Sequence, residues 1–106
     1  MSEYEIRNAV IKRVQLGIED HGIPTCWLHL DYDGMGHGFG GWDLRYYGID
    51  FIIKILETLE VENWEDLAGT PCRANASHGK VKAIGHYLKD RWFEPEKDLI
   101  NKKGAE

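Results

Sequence analysis

The sequence DYDGMGHGFGGWD, residues 31–43, separates a strand-like run from the clearest predicted helix of the chain. It holds five of the twelve glycines of the protein. Glycine adopts positive φ at little steric cost and lets another group come close to the main chain. The stretch therefore predicts either a binding loop or a tightly packed crossover between a sheet and a helix, and the sequence leaves both interpretations open.

Two runs of alternating apolar and polar residues precede this stretch. Residues 9–18 and 26–33 each show the period of two that is typical of a half-buried strand. The sequence EDHG between them, residues 19–22, indicates a turn, so the two runs predict a β-hairpin. A competing interpretation of the first run is a helix that is opened by the capping-box pattern SEYE at residues 2–5.

A helix and a second hairpin are predicted after the glycine-rich stretch. The apolar residues between 48 and 60 fall on one helical stripe. Alternation in residues 72–77 and 81–88, around a turn at 77–80, predicts two more strands. The order strand, strand, helix, strand, strand predicts an α+β fold. In it, a single antiparallel sheet packs against one main helix, because the apolar stripe of the helix must be covered.

The size and charge of the chain make some classes of function less plausible than others. Its 106 residues suffice for one domain, which we place at residues 1–95, with a mobile C-terminal tail at residues 96–106. The net charge of −5 disfavours non-specific binding of nucleic acid, since a polyanion is repelled. No apolar run approaches the ~20 residues of a membrane span. The acidic N-terminus also lacks the features of a signal peptide, so we expect a cytoplasmic protein. The isolated Cys26 and Cys72 predict reduced thiols in the core.

The candidate binding residues lie within and just after the glycine run. GHGFGG, residues 36–41, matches the dinucleotide-binding pattern G-x-G-x-x-G. That pattern works only in a parallel βαβ unit with a helix that begins at once, which the predicted hairpins do not provide. Consecutive backbone N–H groups would instead form an anion-binding nest near the start of the helix. The residues that we predict to bind a host protein or a nucleotide-like anionic molecule are Gly36, His37, Gly38, Gly40, Gly41, Trp42 and Asp43.

A metal-dependent hydrolase or nuclease is the first alternative. Asp31 and Asp33 share one face of the second predicted strand with His29, and His37 follows in the glycine run. Carboxylates and histidines can hold a divalent metal or serve as acid and base. At strand spacing the two aspartates lie roughly 7 Å apart, so a shared metal would need further ligands from the loop. A solvated polar sheet face explains the same pattern.

A nucleic-acid-binding accessory protein is the second alternative. Lys80, Lys82 and Lys89 are interleaved with aromatic residues that include Trp92. Such rings can stack on bases while the lysines follow the phosphate backbone. Lysines at period two are also what an exposed edge strand carries to stay unpaired, and the negative net charge of the chain favours that interpretation.

Four segments resemble a group of short proteins encoded by bacteriophages and prophages, for which no activity is established. They are GIEDHGI at 17–23, GHGFGG at 36–41, WEDL at 64–67 and HGKVKAIGH at 78–86, and the likeness covers about residues 10–93. The resemblance implies a protein of the bacterial cytoplasm that acts by binding, as in counter-defence, and not as an enzyme. In that group glutamine stands at the position of His37, which implies that this histidine is no obligatory catalyst or metal ligand. We therefore predict no catalytic residue, no metal and no cofactor, while open sheet edges would allow two copies to form a homodimer.

Overall fold

The structure, a computed structural model, describes residues 4–77 and 80–99. Their strands are β1 (Glu5–Glu19), β2 (Ile23–Tyr32), β3 (Met35–Gly40), β4 (Pro71–Ser77), β5 (Lys80–His86) and β6 (Trp92–Phe93). The strands pair in a single antiparallel sheet in the order β3-β2-β1-β4-β5-β6. The helices are α1 (Leu44–Tyr47), α2 (Asp50–Leu59) and α3 (Pro95–Asp98), and two short 3-10 turns lie at Asp20–Gly22 and Trp64–Leu67. The predicted α+β class with a single antiparallel sheet is confirmed.

Both predicted hairpins are present. β1 and β2 pair around the turn at Asp20–Gly22, so residues 9–18 form a strand and not the competing helix. β4 and β5 pair up to Ser77 opposite Lys80, and the tip of their turn lies outside the described residues. β1 joins the two halves of the sheet because its first part pairs with β4 and its second part pairs with β2.

The predicted order of elements omits a strand in the glycine-rich stretch. Asp33 and Gly34, with φ of 55° and 73°, form a two-residue turn of the kind that suits the twist of hairpin strands. Beyond this turn β3 runs back along β2, with Tyr32 opposite Met35. The stretch is therefore mostly an edge strand and not a crossover loop. The short β6, α1 and α3 are further elements that the predicted order with one main helix lacks.

Helix α2 covers one face of the sheet. The predicted helix is present, and its side chains Phe51, Ile55 and Leu59 are buried at helical spacing. The buried stripe is centred on Phe51 and Ile55, whereas Ile49 and Ile53, which the predicted stripe included, are exposed. The ring centroids of Phe39 on β3 and Phe93 on β6 lie 6.2 and 5.4 Å from that of Phe51. One aromatic cluster thus joins the two edge strands of the sheet to the helix and fixes the position of β3.

The last described residues also pack on the fold. Pro95 and Leu99, at the start of α3 and directly after it, are both buried, and α3 lies against β5. The tail predicted from residue 96 therefore begins inside a packed helix, and its residues 100–106 lie outside the described residues. None of the helices formed by residues 4–77 and 80–99 has both the length and the apolar composition required to cross a bilayer.

Candidate functional site

A groove of about 520 Å³ opens between the edge strand β3 and the start of β5. Two tryptophans provide aromatic surface, one lysine provides a positive charge and one glutamate provides a negative charge. The lining residues are Trp27, Gly38, Gly40, Gly41, Trp42, Lys80, Val81 and Glu96. They come from β2, from β3 and the segment after it, from β5 and from α3, so the groove exists only in the folded chain.

The free edge of β3 offers backbone hydrogen-bonding groups to a ligand. Tyr32 and Met35 flank the two-residue turn, and such a flanking pair exchanges both of its backbone hydrogen bonds. Because hydrogen-bonded and non-hydrogen-bonded pairs alternate, the N–H and C=O groups of Gly36, Gly38 and Gly40 point away from β2. β3 is the last strand of the sheet on this side, so within the described residues these groups pair with no further strand, and β5 lies on the other side of the groove. None of the three residues has a side chain of its own, and the Trp27 ring lies against Gly38.

Three glycines of the groove pack closely against β2, and the contacts are tightest at Gly40 and Gly41. A Cβ at Gly38 would lie 3.0 Å from Cζ3 of the Trp27 ring, and a Cβ at Gly41 would lie 2.7 Å from Cζ2 of that ring. A Cβ at Gly40 would lie 2.1 Å from the carbonyl oxygen of Cys26. The tight-packing interpretation of the glycine-rich stretch therefore applies at these positions, and the packed Trp27 ring is itself part of the groove.

Hydrogen bonds hold the Trp27 ring in this position. Its Nε1 donates to Oε2 of Glu19 at 2.7 Å, and Oγ1 of Thr25 donates to the same oxygen at 2.5 Å. These two bonds, that from Thr25 first, lower the pKa of the Glu19 carboxyl from its ordinary value. The ring also stacks beside His29, with centroids 6.5 Å apart. Trp27 thus has a defined orientation as one side of the groove.

The predicted site residues fall into two groups. Those that line the groove are Gly38, Gly40, Gly41 and Trp42. Gly36 lies nearer the turn on the same edge. His37 stacks on Tyr32, with centroids 3.7 Å apart, and its buried Nε2 has no hydrogen-bond partner in the described part of the chain. Asp43 caps α1 and forms a 2.8 Å ion pair with Arg45, and the hydrogen bonds from Arg45 lower the pKa of Asp43.

Four residues of the groove were not among the predicted ligand contacts: Trp27, Lys80, Val81 and Glu96. The position of Trp27 opposite Gly40 follows from the strand register, which can be counted from the Asp-Gly turn. Lys80 and Glu96 come from distant parts of the chain, and no local sequence pattern links them to the glycines.

The residues of the metal-site alternative do not converge. Asp33 is a turn residue with positive φ, and its carboxylate lies 3.6 Å from the Nε of Arg7, whereas Asp31 lies on β2. Among residues 4–77 and 80–99 there is no group of three or more His, Cys, Asp and Glu side chains that could hold a metal ion.

The basic residues of the nucleic-acid alternative are partly engaged with the protein itself. Lys89 forms a 2.8 Å ion pair with Glu60 at the end of α2, and the nearby Arg91 pairs with the same carboxylate at 2.7 Å. Lys82 places its ammonium group 4.2 Å from the ring centroid of Tyr4. Lys80 is the residue of this set that reaches the groove.

Neither thiol is suited to nucleophilic chemistry. Cys26 and Cys72 are free and buried, as predicted, and burial raises the pKa of each thiol to about 12. Both are therefore protonated at neutral pH, and the thiolate is the reactive form of cysteine.

Comparison of the chain with protein-family models, with curated proteins and with solved structures finds no match.

Proposed function

We propose that the protein is a non-enzymatic accessory protein that binds a nucleotide-like anionic small molecule in the groove beside β3. The observation that carries this proposal is that Trp27, Trp42 and Lys80 line one groove together with the unpaired glycine edge of β3. Each of these features suits a different part of a nucleotide.

The tryptophans and the lysine suit opposite ends of such a ligand. A planar base gains from stacking on an aromatic ring, at about 1–3 kcal/mol per base. The Lys80 ammonium attracts a phosphate, and the outward N–H groups of Gly38 and Gly40 can donate to phosphate oxygens, as backbone nests do.

Glu96 narrows the ligand class further. Glu96 lines the same groove, and a carboxylate accepts hydrogen bonds but repels anions. A ligand with hydroxyl or amino donors as well as a phosphate satisfies both Lys80 and Glu96, whereas inorganic phosphate satisfies only the lysine. We therefore propose a nucleotide in preference to a simple anion.

The cellular role in the proposal rests on the resemblance to phage proteins. A cytoplasmic phage protein that binds a host nucleotide without converting it lowers the free concentration of that nucleotide. Counter-defence against a host response that uses such a signal is the corresponding role.

Protein binding is a second candidate, favoured by the open edges of the sheet. Beyond residue 11, β1 pairs with β2 alone, and the nearby side chains of Leu16 and Ile18 are 52% and 72% exposed. An exposed apolar strand edge of this kind pairs readily with another strand. This candidate predicts that two copies of the chain form a homodimer through β1. Sedimentation velocity tests this prediction, and the variant Leu16→Lys should be monomeric.

Thermal-shift measurements test nucleotide binding. The panel comprises adenine and guanine mono- and diphosphates, cyclic mononucleotides and inorganic phosphate. We expect at least one nucleotide to raise the Tm more than phosphate does, because a ligand that binds only the folded state stabilises it. Lys80→Ala should weaken binding about 10- to 100-fold, the loss expected for a charge-assisted hydrogen bond of about 1.5–3 kcal/mol.

Lys54→Ala is the matched control, because Lys54 is exposed on α2 and does not line the groove. It removes the same charge and should leave binding unchanged. A panel without any shift, or equal binding by the two lysine variants, would contradict the proposal.

A further inference from the structure

We infer that Glu19, which does not line the groove, is a positioning residue that fixes the Trp27 ring as one side of the groove and thereby sets ligand affinity. The effect on affinity rests on the proposed function, whereas the effect on the ring does not.

Glu19 and Trp27 meet because of the hairpin between β1 and β2. Glu19 is opposite Ile23, Gly17 is opposite Thr25 and Gln15 is opposite Trp27. Alternate residues of paired strands share one face of a sheet, so Glu19, Thr25 and Trp27 lie on the same face. The glutamate then reaches back along β2, and one carboxylate oxygen accepts from both neighbours.

The other side of the indole rests on the glycine strand. Cζ3 and Cε3 of Trp27 lie over Gly38, and Cζ2 and Cη2 lie over Gly41. The ring is thus held at two points, by a hydrogen bond at Nε1 and by backbone contact under its six-membered ring. Neither contact alone defines the ring plane.

The hydrogen bond determines which way the ring faces. The torsion between Cβ and the indole of a tryptophan has broad and roughly two-fold wells. Rotation by half a turn would move Nε1 away from Glu19 and lift the six-membered ring from the glycines. The hydrogen bond to the charged Glu19 carboxylate forms in only one of these two orientations and therefore favours it.

Thr25 makes the glutamate itself a fixed acceptor. Its side chain is only 3% exposed, and its hydroxyl donates to the oxygen that also binds Trp27. Glu19 is the last residue of β1 and so stands on a paired backbone and not on a free loop. The segment GIEDHGI and the glycine run, which are far apart in sequence, therefore act on the same ring.

The first test uses the ligand-free protein. NMR measures the rate at which the Trp27 indole N–H exchanges with water, and the resonance is assigned by its absence in Trp27→Phe. Glu19→Ala should accelerate this exchange about tenfold or more, because the charge-assisted hydrogen bond is lost. Asp20→Ala, which removes the same charge from the adjacent exposed residue, should leave the rate unchanged.

The second test measures binding of ADP by titration calorimetry. Glu19→Ala should weaken ADP binding about tenfold, Asp20→Ala should not, and Glu19→Gln should fall between because it keeps one acceptor oxygen. If Glu19→Ala fails to fold, both tests are made with Glu19→Gln.

The two tests separate the inference from the proposed function. If wild-type protein does not bind ADP, the predicted effect of Glu19 on ADP affinity is overturned. The thermal-shift panel then decides the proposed function, and the exchange rate decides whether Glu19 positions the ring. Unchanged indole exchange in Glu19→Ala, or equal acceleration in Asp20→Ala, overturns the positioning role. Faster exchange with unchanged ADP affinity overturns the link to binding.

Discussion

Replacement of Gly40 by alanine tests whether the close packing of β3 against β2 requires glycine at this position. The added Cβ would lie 2.1 Å from the carbonyl oxygen of Cys26 and 2.8 Å from the Cα of Trp27. The first contact is roughly 1.4 Å shorter than the ~3.5 Å of an optimal non-bonded contact. Both neighbours belong to the backbone of β2, so no side chain can rotate away and the strands must separate. The φ of Gly40 is also 148°, which an alanine adopts only under strain.

The two effects set the expected magnitude. Overpacking costs about 1–3 kcal/mol and an unfavourable φ about 1–3 kcal/mol, so Gly40→Ala should destabilise the protein by roughly 2–6 kcal/mol. Urea denaturation followed by circular dichroism should show a midpoint lower by roughly 1 M or more.

Gly36→Ala supplies the matched control for Gly40→Ala. Its Cβ would meet no atom within 4 Å and its φ is not in the positive range, so it should be neutral or stabilise the strand by about 0.5–1 kcal/mol. Equal loss of stability in the two variants would refute the packing argument.

Three further outcomes are expected. Gly85→Ala should destabilise by about 1–3 kcal/mol in urea denaturation, because its Cβ would lie 2.7 Å from the Trp92 ring; wild-type stability would contradict this. Glu60→Gln should lower the Tm at pH 7, and the difference from the wild-type Tm should shrink as the pH falls below 4.5. Hydrogen bonds from Lys89 and then from Arg91 lower the pKa of Glu60, so the stabilisation is present above its ordinary pKa of 4.5 and is lost as the pH falls through the lowered value. Cys26 and Cys72 should react with a thiol reagent only in denaturant, since their pKa values are raised to about 12 in the folded protein, and rapid labelling of the native state would be contrary evidence.

The regular helices and strands were predictable because their apolar side chains recur at the spacing of the helix or strand that they form. Helix α2 and the hairpin strands show apolar residues at the spacing that burial requires. β3 was missed because Gly36, Gly38 and Gly40 occupy every second position. Without side chains at these positions, the stretch lacks the apolar–polar alternation that is typical of a strand. The Asp-Gly pair at 33–34 was the available signal, since it is typical of two-residue hairpin turns.

The groove was only partly predictable, because its residues meet through the tertiary structure. The glycines and Trp42 are local to one stretch and were identified from it. Trp27 joins them through the strand register, whereas Lys80 and Glu96 are added by the approach of β5 and α3. His37 was grouped with the glycines by sequence, but strand alternation turns its ring to Tyr32 on the other face of β3.

NMR titration of the isotope-labelled protein with ADP tests nucleotide binding in the groove most directly. We expect saturable shifts of the backbone amides of Gly38, Gly40 and Gly41 and of the indole N–H groups of Trp27 and Trp42. In the same titration of Lys80→Ala, the same resonances should shift, but the Kd for ADP should be about 10- to 100-fold higher. Absence of shifts at millimolar ADP, or saturable shifts confined to α2 and the second half of β1, would contradict binding in this groove.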